Sequence, residues 1–347
     1  MTLSMRHSHG TEDIAEFLAH SRRLMDPALQ NAVARLHPGP GRMAAFTFGW
    51  VESDGTPRGA ANGKGVRPAL ALLSARAAGG PAETAVPGAV AVELVHAFSL
   101  VHDDIMDGDE RRRHRETVWK AYGIGPAVLG GDALLALAVD TLARAGGAQT
   151  GAAMLHLSAA LVELVHGQAE DTDFESRPWK GPDAVTVEQY CAMAVGKTGS
   201  LLGSAAAVGA LLGGGPPDLA DRMSRLGRHL GLAFQAVDDL LGIWGDPEVT
   251  GKPVFSDLRR GKKTLPIVAA TRAAPGLSEL LAGRSDDEAA LRRLAGLVED
   301  AGGRGFTDEL AARELERALD IINTSGLDGA AARDLTALSR FLVHRAS

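Results

Sequence analysis

The residues of this sequence that could do chemistry include two groups of aspartates, each at the end of an apolar stretch. The first acidic segment, residues 102–109, reads HDDIMDGD and places Asp103 and Asp107 one helical turn apart, with Asp104 adjacent. Like charges at this spacing repel each other, and the C-terminal end of a helix disfavours negative charge as well. A bound cation would offset both effects, and ligands that are all oxygen point to Mg2+, which takes one or two carboxylates plus substrate phosphates. Taken alone, the segment is equally consistent with a solvated acidic helix end.

A second acidic segment makes the metal hypothesis the stronger one. Residues 234–246 read FQAVDDLLGIWGD, and here Asp238 and Asp239 again follow an apolar helical run. We therefore predict that the two aspartate pairs face each other across a cavity and hold metal ions around a shared diphosphate.

Basic residues accompany both acidic segments, as the binding of a diphosphate requires. Lys64 and Arg67 lie three residues apart at a glycine-rich helix start, where backbone N–H groups also favour anions. A lone lysine is usually a solvated surface residue, but here the basic residues recur close to the aspartates. The full set comprises Lys64, Arg67, Arg111, Arg112, Arg113, Lys197, Lys252, Lys262 and Lys263.

Three other kinds of site are disfavoured. The segment VGKTGS matches a nucleotide-binding P-loop only in part, because the first glycine of G-x-x-x-x-G-K-T would fall at Cys191 and no strand precedes it. His102 and His114 lack the matching cysteine or histidine pair of a zinc site. The net charge of -7 argues against a nucleic-acid-binding surface, where a basic stripe is expected.

We expect the chain to be cytoplasmic and to lack a stable membrane anchor. Its only cysteine, Cys191, can form no internal disulfide, which suits a reducing compartment. The N-terminus has no apolar run of the signal-peptide type, and no uncharged stretch of about 18 apolar residues occurs.

Helices are the elements that must position these residues. Apolar residues make up 45% of the chain but aromatics only 4%, which suits close-packed helices better than sheets, and no convincing pair of strands occurs. We predict an irregular stretch at residues 37–65, a capping box at Ser285 and Glu288, and a helix cap at Thr307. The predicted helices cover residues 11–37, 67–78, 86–109, 127–145, 151–172, 187–213 and 218–244, with further helices after Pro266. The fold class is therefore all-α, in one domain over residues 1–347.

The motifs resemble those of the trans-isoprenyl diphosphate synthases, the polyprenyl synthetase family. The resemblance covers residues 63–266, in the family's order and approximate spacing. It implies a helical bundle of the isoprenoid synthase type around a central cavity, with residues 267–347 as C-terminal helices, and a homodimer. The motifs are GKGVRP, VHAFSLVHDDIMD, the RRR run, GD at 131–132, GQAED, GKT, FQAVDD, GKPVFSDL and GKKTLP.

The resemblance also implies a reaction and the residues that perform it. Isopentenyl diphosphate would be condensed with an allylic diphosphate in the presence of three Mg2+ ions per active site, and the departing diphosphate would take the proton. The metal would be held by Asp103, Asp104, Asp107, Asp238 and Asp239. Isopentenyl diphosphate would be bound by Lys64, Arg67, His96 and Arg113. The allylic diphosphate would be bound by Arg112, Lys197, Lys252 and Lys262, while Thr198 and Gln235 would present oxygens to the developing cation.

Product length is predicted from the residues before Asp103. Phe98 lies five residues earlier, about 7.5 Å down the same helix, where a growing apolar chain should extend away from the diphosphate. An aromatic there, without an insertion in DDIMD, resembles one group of geranylgeranyl diphosphate synthases, so we predict a twenty-carbon product with Phe98 as a floor of the pocket. Ser99 is small and would not by itself enforce a farnesyl product. The alternative is that Phe98 only packs against a neighbouring helix.

The second acidic segment departs from the family pattern. The family's motif reads DDxxD, but here the fifth position is Gly242 and the next carboxylate is Asp246. Asp246 could coordinate metal in place of the missing carboxylate, directly or through water. Because Asp246 lies about two turns beyond Asp238, we expect either that a water mediates the contact or that the helix breaks near Gly245. The spacing of positions 238, 242 and 246 also resembles the second metal motif of class I terpene cyclases, in which a hydroxyl commonly fills the middle place.

Further departures keep two alternatives open. Glu116 and Phe255 stand where the family usually has proline and glycine, and His114 replaces another glycine. A catalytically weak partner subunit would fit the changes at Gly242 and Phe255. A terpene cyclase is the other alternative. The presence of Lys64, Arg67 and His96 speaks against it, because a cyclase needs no isopentenyl diphosphate site.

Overall fold

The computed structural model describes residues 5–58, 65–112, 115–247 and 253–343, with side chains from Ile14 onward. The predicted site residues Lys64, Arg113 and Lys252 lie outside the described residues, as does His114. The described chain is almost entirely helical, which confirms the all-α prediction.

The α-helices of the described residues succeed one another from Met5 to Val343. In chain order they are α1 (Met5–Val33), α2 (Pro38–Thr47), α3 (Val66–Ala77), α4 (Val86–Met106), α5 (Val118–Tyr122), α6 (Ile124–Ala143), α7 (Thr150–Ser176), α8 (Val187–Ala194), α9 (Ser200–Leu212), α10 (Pro217–Trp244), α11 (Ser256–Arg260), α12 (Leu265–Ala273), α13 (Leu277–Ala282), α14 (Glu288–Asp300), α15 (Gly303–Thr324) and α16 (Gly329–Val343). A 3₁₀ turn, Ala82–Ala85, precedes α4, and a π-helical turn, Val195–Gly199, joins α8 to α9.

The predicted helices that carry site residues agree with the structure to within a few residues. The helix predicted at 218–244 is α10, and its break before Gly245 was expected. The helix predicted at 187–213 is interrupted by the π-helical turn, which apolar spacing does not reveal. The first acidic segment closes α4, as expected.

Four local predictions were wrong. The stretch 37–65 contains α2, because Pro38 lies in its first turn, where the missing N–H costs little, and His37 accepts a hydrogen bond from Gly39 N. The cap of α14 is Asp287, which accepts from Ala290 N at 2.9 Å, and not Ser285. Thr307 lies within α15 and donates to Gly303 O. A two-residue antiparallel ladder, Arg111–Arg112 with Arg115–Glu116, is also present.

The chain divides into two compact units, neither of which is a continuous stretch. Unit 1 comprises residues 1–159, 204–224 and 325–338, and unit 2 comprises residues 160–203, 225–324 and 339–347. That the two constitute one domain stays a prediction.

Unit 1 packs around α4. Side chains of α4 such as Leu94 and Val95 have no exposed surface, because α3 and α6 cover them. Near the end of α4, the His102 ring lies so close to Gly131 of α6 that any side chain at position 131 would overlap it. This contact fixes the helix turn that carries the first aspartates.

Unit 2 has its own apolar core beside the end of α10. Ile243, Phe255, Leu258, Ile267 and Leu281 are all buried in one cluster. The cluster fixes α11 against α10, which determines the surroundings of the second acidic segment.

Three segments of the described chain are long and apolar enough to cross a membrane by length and composition. They are Ala82–Met106, Ile124–Ala143 and Val187–Leu212. The first and third are largely buried within the protein, at 61% and 78% of the apolar window, whereas Ile124–Ala143 is only 39% buried. The apolar character of the first and third is therefore explained by packing within the protein.

Candidate active site

The first acidic segment is compensated by the arginine run that follows it. Asp104 is 5% exposed, and its Oδ1 lies 2.8 Å from Nε and 2.7 Å from Nη2 of Arg112. Burial raises the pKa of Asp104, and the hydrogen bond from Arg112 opposes this increase. Asp103 and Asp107 are half-buried at the last turn and C-cap of α4. Two carboxylates therefore stay accessible while the third positions Arg112.

Two residues predicted to bind isopentenyl diphosphate meet in unit 1. Arg67, in the first turn of α3, places Nη1 3.1 Å from Nε2 of His96 on α4. Both side chains are half-buried. The pairing brings a permanent cation next to a hydrogen-bonding ring, which suits an anionic ligand.

Phe98 and Ser99, the residues predicted to determine product length, follow His96 on α4. Phe98 is 8% exposed, and its ring meets the edge of the His102 ring with the centroids 4.8 Å apart. The Ser99 hydroxyl donates to the carbonyl of His96 at 2.9 Å. The ring of Phe98 is thus held in place by a neighbour that is itself fixed against α6.

In unit 2, the second acidic segment separates into an accessible and a buried carboxylate. Asp238 is half-buried, whereas Asp239 is 2% exposed. Asp239 accepts hydrogen bonds from the Tyr190 hydroxyl, from Leu265 N at 2.9 Å and from Gln235 Nε2 at 3.0 Å. Burial raises the pKa of Asp239 to about 7, against the hydrogen bond from Tyr190.

The predicted residues Lys197 and Thr198 lie on the π-helical turn. Lys197 Nζ is 2.5 Å from Asp171 Oδ2, and the Thr198 hydroxyl donates to Gln235 Oε1 at 3.0 Å. A side chain at Gly167 of α7 would overlap the backbone nitrogen of Lys197, so this glycine permits the close approach. Short π-helical turns within helices are frequent at functional sites.

Two lysines, Lys262 and Lys263, lie just after the end of α11. Lys262 Nζ lies 3.4 Å from Glu175 Oε1. Lys263 is buried, donates to the carbonyl of Glu175 at 3.1 Å and lies 4.6 Å above the Trp179 ring. Burial lowers the pKa of Lys263. Of the two, Lys262 has the side chain that a diphosphate could reach.

Of the positions that depart from the family pattern, Gly242, Phe255 and Glu116 lie among the described residues. Gly242 is buried on α10, and Asp246 is exposed beyond the end of that helix. Phe255 has a φ of 61°, the region that favours glycine, and its ring is buried. Glu116 is exposed in the short ladder.

Several residues around the site were not found from the sequence. Asp171 and Glu175 lie one turn apart on α7 and hold the predicted lysines, and their i, i+4 spacing was a usable signal. Tyr190 carries no comparable signal, because it acts on α10 from another segment. Asp257 lies in the GKPVFSDL motif, but no role was assigned to it from the sequence.

The single cysteine of the chain lies on α8. Cys191 is half-buried, and burial raises the pKa of its thiol to about 11. The thiol is therefore protonated near neutral pH and a poor nucleophile.

The accessible carboxylates of each unit suit an Mg2+ ion that takes its other ligands from substrate phosphates and water, rather than a metal site formed by the protein alone. Among the described residues, no group of three or more histidine, cysteine or acidic side chains is arranged to hold a metal ion. Asp103, Asp107 and Asp238 remain accessible oxygen donors. Mg2+ is commonly bound by one or two carboxylates, with substrate phosphates and water completing its shell.

Comparison with known proteins identifies the family. The model of the Polyprenyl synthetase family matches residues 58–298. The chain belongs to this family. It is 43% identical over 336 residues to the (2E,6E)-farnesyl diphosphate synthase of Mycobacterium bovis, covering 94% of this chain and 92% of the relative. It is 39% identical over 334 residues to the geranylgeranyl diphosphate synthase of Mycobacterium tuberculosis, covering 94% and 93%.

Solved structures agree with this assignment. The crystal structure of the polyprenyl synthetase from Streptomyces coelicolor A3(2) matches with a TM-score of 0.90 and 46% identity, covering 95% of this chain and 99% of that one. As a polyprenyl synthetase the protein is a prenyltransferase of isoprenoid biosynthesis. The relatives make products of different lengths, so the family alone does not select one.

Proposed function

We propose that this polyprenyl synthetase condenses isopentenyl diphosphate with an allylic diphosphate in a Mg2+-dependent reaction, and that geranylgeranyl diphosphate is its main product. The observation that carries the condensation is the contact of Arg67 with His96. Neither a terpene cyclase nor a non-catalytic partner subunit requires an isopentenyl diphosphate site. Incubation with isopentenyl diphosphate, each allylic starter and Mg2+, followed by product sizing, tests the proposal. No elongated product from any starter would refute it.

The cations of the site are positioned before substrate arrives. Arg112, Lys197 and Lys262 are each held by a carboxylate, which fixes long side chains that would otherwise lose conformational freedom on binding. We assign these three to the allylic diphosphate. Preorganised charges of this kind favour the state in which the leaving group carries its full negative charge. Bound Mg2+, held by Asp103, Asp107 and Asp238, would neutralise the rest of that charge, while the buried Asp104 positions Arg112.

The carbon chemistry needs few protein groups. The C–O bond of the allylic diphosphate breaks, the diphosphate keeps the electron pair, and the isopentenyl double bond forms the new C–C bond. The proton then lost can go to the departing diphosphate. Thr198 and Gln235, hydrogen-bonded to each other, present oxygens that stabilise the positive carbon. We assign Asp239 a positioning role rather than direct metal coordination, because both of its oxygens accept hydrogen bonds from the protein.

Product length is tested by the variant Phe98→Ala. Removing the ring should deepen the pocket and shift the main product beyond twenty carbons. The loss of a buried ring costs about 3–5 kcal/mol, so thermal stability should be measured alongside. Ser99→Ala is the matched control and should leave the product unchanged. A folded, active Phe98→Ala enzyme with the wild-type product distribution would contradict the floor assignment, and a fifteen-carbon wild-type product would contradict the length.

We also propose a homodimer in the cytoplasm. The family resemblance implies it, and α6 exposes large apolar side chains that a second copy would cover: Ile124 is 57% exposed, Val128 40% and Leu129 58%. Such a face on each protomer suits a two-fold interface. Light scattering should give twice the chain mass for the wild type and a smaller mass for Leu129→Asp. A monomeric wild type would refute the dimer.

A further inference from the structure

The space beside Gly242 is filled by another carboxylate. A Cβ atom at position 242 would overlap the side chain of Asp257, with Oδ1 at 2.9 Å and Cγ and Oδ2 closer still. Asp257 therefore lies directly against the backbone of α10, at the place from which an aspartate at position 242 would project.

The approach of Asp257 is built by the residues just before it. Phe255 N donates to the carbonyl of Ile243 at 3.2 Å, and the left-handed backbone of Phe255 then turns the chain into α11. The Ser256 hydroxyl lies 3.1 Å from the carbonyl oxygen of Gly242 and 3.3 Å from Asp257 Oδ1. Three consecutive residues thus anchor this carboxylate to the backbone of Gly242.

The location is relevant to the metal because of helix spacing. Positions 238 and 242 are four residues apart on α10 and so share a face. A carboxylate resting on Gly242 therefore belongs to the same face as Asp238. Asp246, the other candidate, is exposed and follows the end of the helix.

We propose that Asp257 supplies, from a separate segment, the carboxylate that the second acidic segment lacks at position 242, and that it supports binding of the metal and diphosphate at Asp238. The proposal rests on the proposed function. A carboxylate in this position can orient the water shell that Mg2+ retains, and loss of such outer contacts typically weakens metal binding by about 10- to 100-fold. The missing side chain of Gly242 leaves the space that Asp257 occupies.

Metal binding read without turnover tests this assignment. Mn2+ would be titrated into the full chain with inorganic diphosphate and followed by electron paramagnetic resonance, for the wild type, Asp257→Asn and the matched control Asp246→Asn. We expect about 10- to 100-fold weaker Mn2+ binding for Asp257→Asn and wild-type binding for Asp246→Asn. Unchanged binding for Asp257→Asn, or a loss confined to Asp246→Asn, would overturn the proposal.

A transplanted carboxylate separates a metal-supporting role from a structural one. The double variant Gly242→Asp with Asp257→Ala removes the overlap and moves the acid onto α10, and it should bind Mn2+ as the wild type does. If Asp257→Asn fails to fold, the double variant provides the test. A wild-type affinity of the double variant for Mn2+ supports the proposal, and a loss of that affinity overturns it. The proposed function is tested separately, by product formation in the wild type, so a failure of either can be recognised.

Discussion

Replacing Phe255 by glycine should have two opposite effects on the free energy of unfolding. It relieves backbone strain, and it removes a buried aromatic ring. Phe255 has φ 61° and ψ 25°, and among the described non-glycine residues it alone has a positive φ. A side chain in this region costs about 1–2 kcal/mol. Glycine removes that cost. It also increases the conformational entropy of the unfolded chain, which lowers the free energy of unfolding by about 0.4–1 kcal/mol. The net gain from the backbone is therefore between about 0 and 1.6 kcal/mol.

Burial of the ring is the larger effect. Phe255 is 5% exposed among Ile243, Leu258 and Leu281, and the Arg292 guanidinium lies 5.7 Å from the ring centroid. Removing a buried phenylalanine ring costs about 3–5 kcal/mol. We therefore expect Phe255→Ala to lower the free energy of unfolding by about 4 kcal/mol and Phe255→Gly by about 3 kcal/mol. Glycine should be the milder of the two changes, yet still harmful.

Equilibrium unfolding in urea measures both values by linear extrapolation. Phe174 is the matched control, because its ring is 3% exposed and it lies within the regular helix α7. There glycine should be worse than alanine by about 1 kcal/mol, the reverse of the order at Phe255. A Phe255→Gly protein as stable as the wild type would show that the ring does not outweigh the strain. The same order at both positions would show that the backbone is not strained.

Three further predictions concern the metal ligands, the end of α10 and acid stability. Asp103→Ala and Asp238→Ala should each lower turnover by orders of magnitude, because each removes a hard oxygen ligand, while the circular dichroism spectrum stays unchanged. Undiminished turnover of the wild type in excess chelator would contradict the metal assignment. Asp246→Asn should leave rate and Mg2+ dependence unchanged, since Asp246 is exposed beyond the helix, and a slower enzyme would restore it as a ligand. Burial acts to raise the pKa of Glu314, but the hydrogen bond from His229, whose Nδ1 lies 2.6 Å from Oε2, and the charges of His229, Arg317 and Arg313 together outweigh burial and lower the pKa from its usual value of 4.5. The resulting stabilisation is present above pH 4.5 and is lost as the pH falls through the folded-state pKa, so Glu314→Gln should show a shallower fall in Tm below about pH 4.5 than the wild type; equal slopes would rule this out.

The helices, and the site residues that lie on them, could be predicted because the spacing of apolar residues is a pattern within each helix itself. The apolar spacing of residues 218–244 reproduces α10 to within one residue, and the aspartates at its end follow from the sequence itself. Arg112, eight residues after Asp104, compensates part of the charge of the first acidic segment, and the bound metal ion stays a prediction. Local patterns failed at Thr307, where a good cap residue lies inside a helix that begins earlier.

The roles of individual carboxylates needed the tertiary structure. Asp238 and Asp239 are neighbours of identical chemistry, yet only Asp239 is buried against Tyr190 and Leu265. The sequence showed that Gly242 lacks a carboxylate, but not that Asp257 rests on its backbone. Periodicity reports which face of a helix is apolar, whereas burial and hydrogen bonding depend on which distant segment packs there. That choice is made only when the chain folds, because the contacts join residues whose separation in sequence carries no repeating pattern.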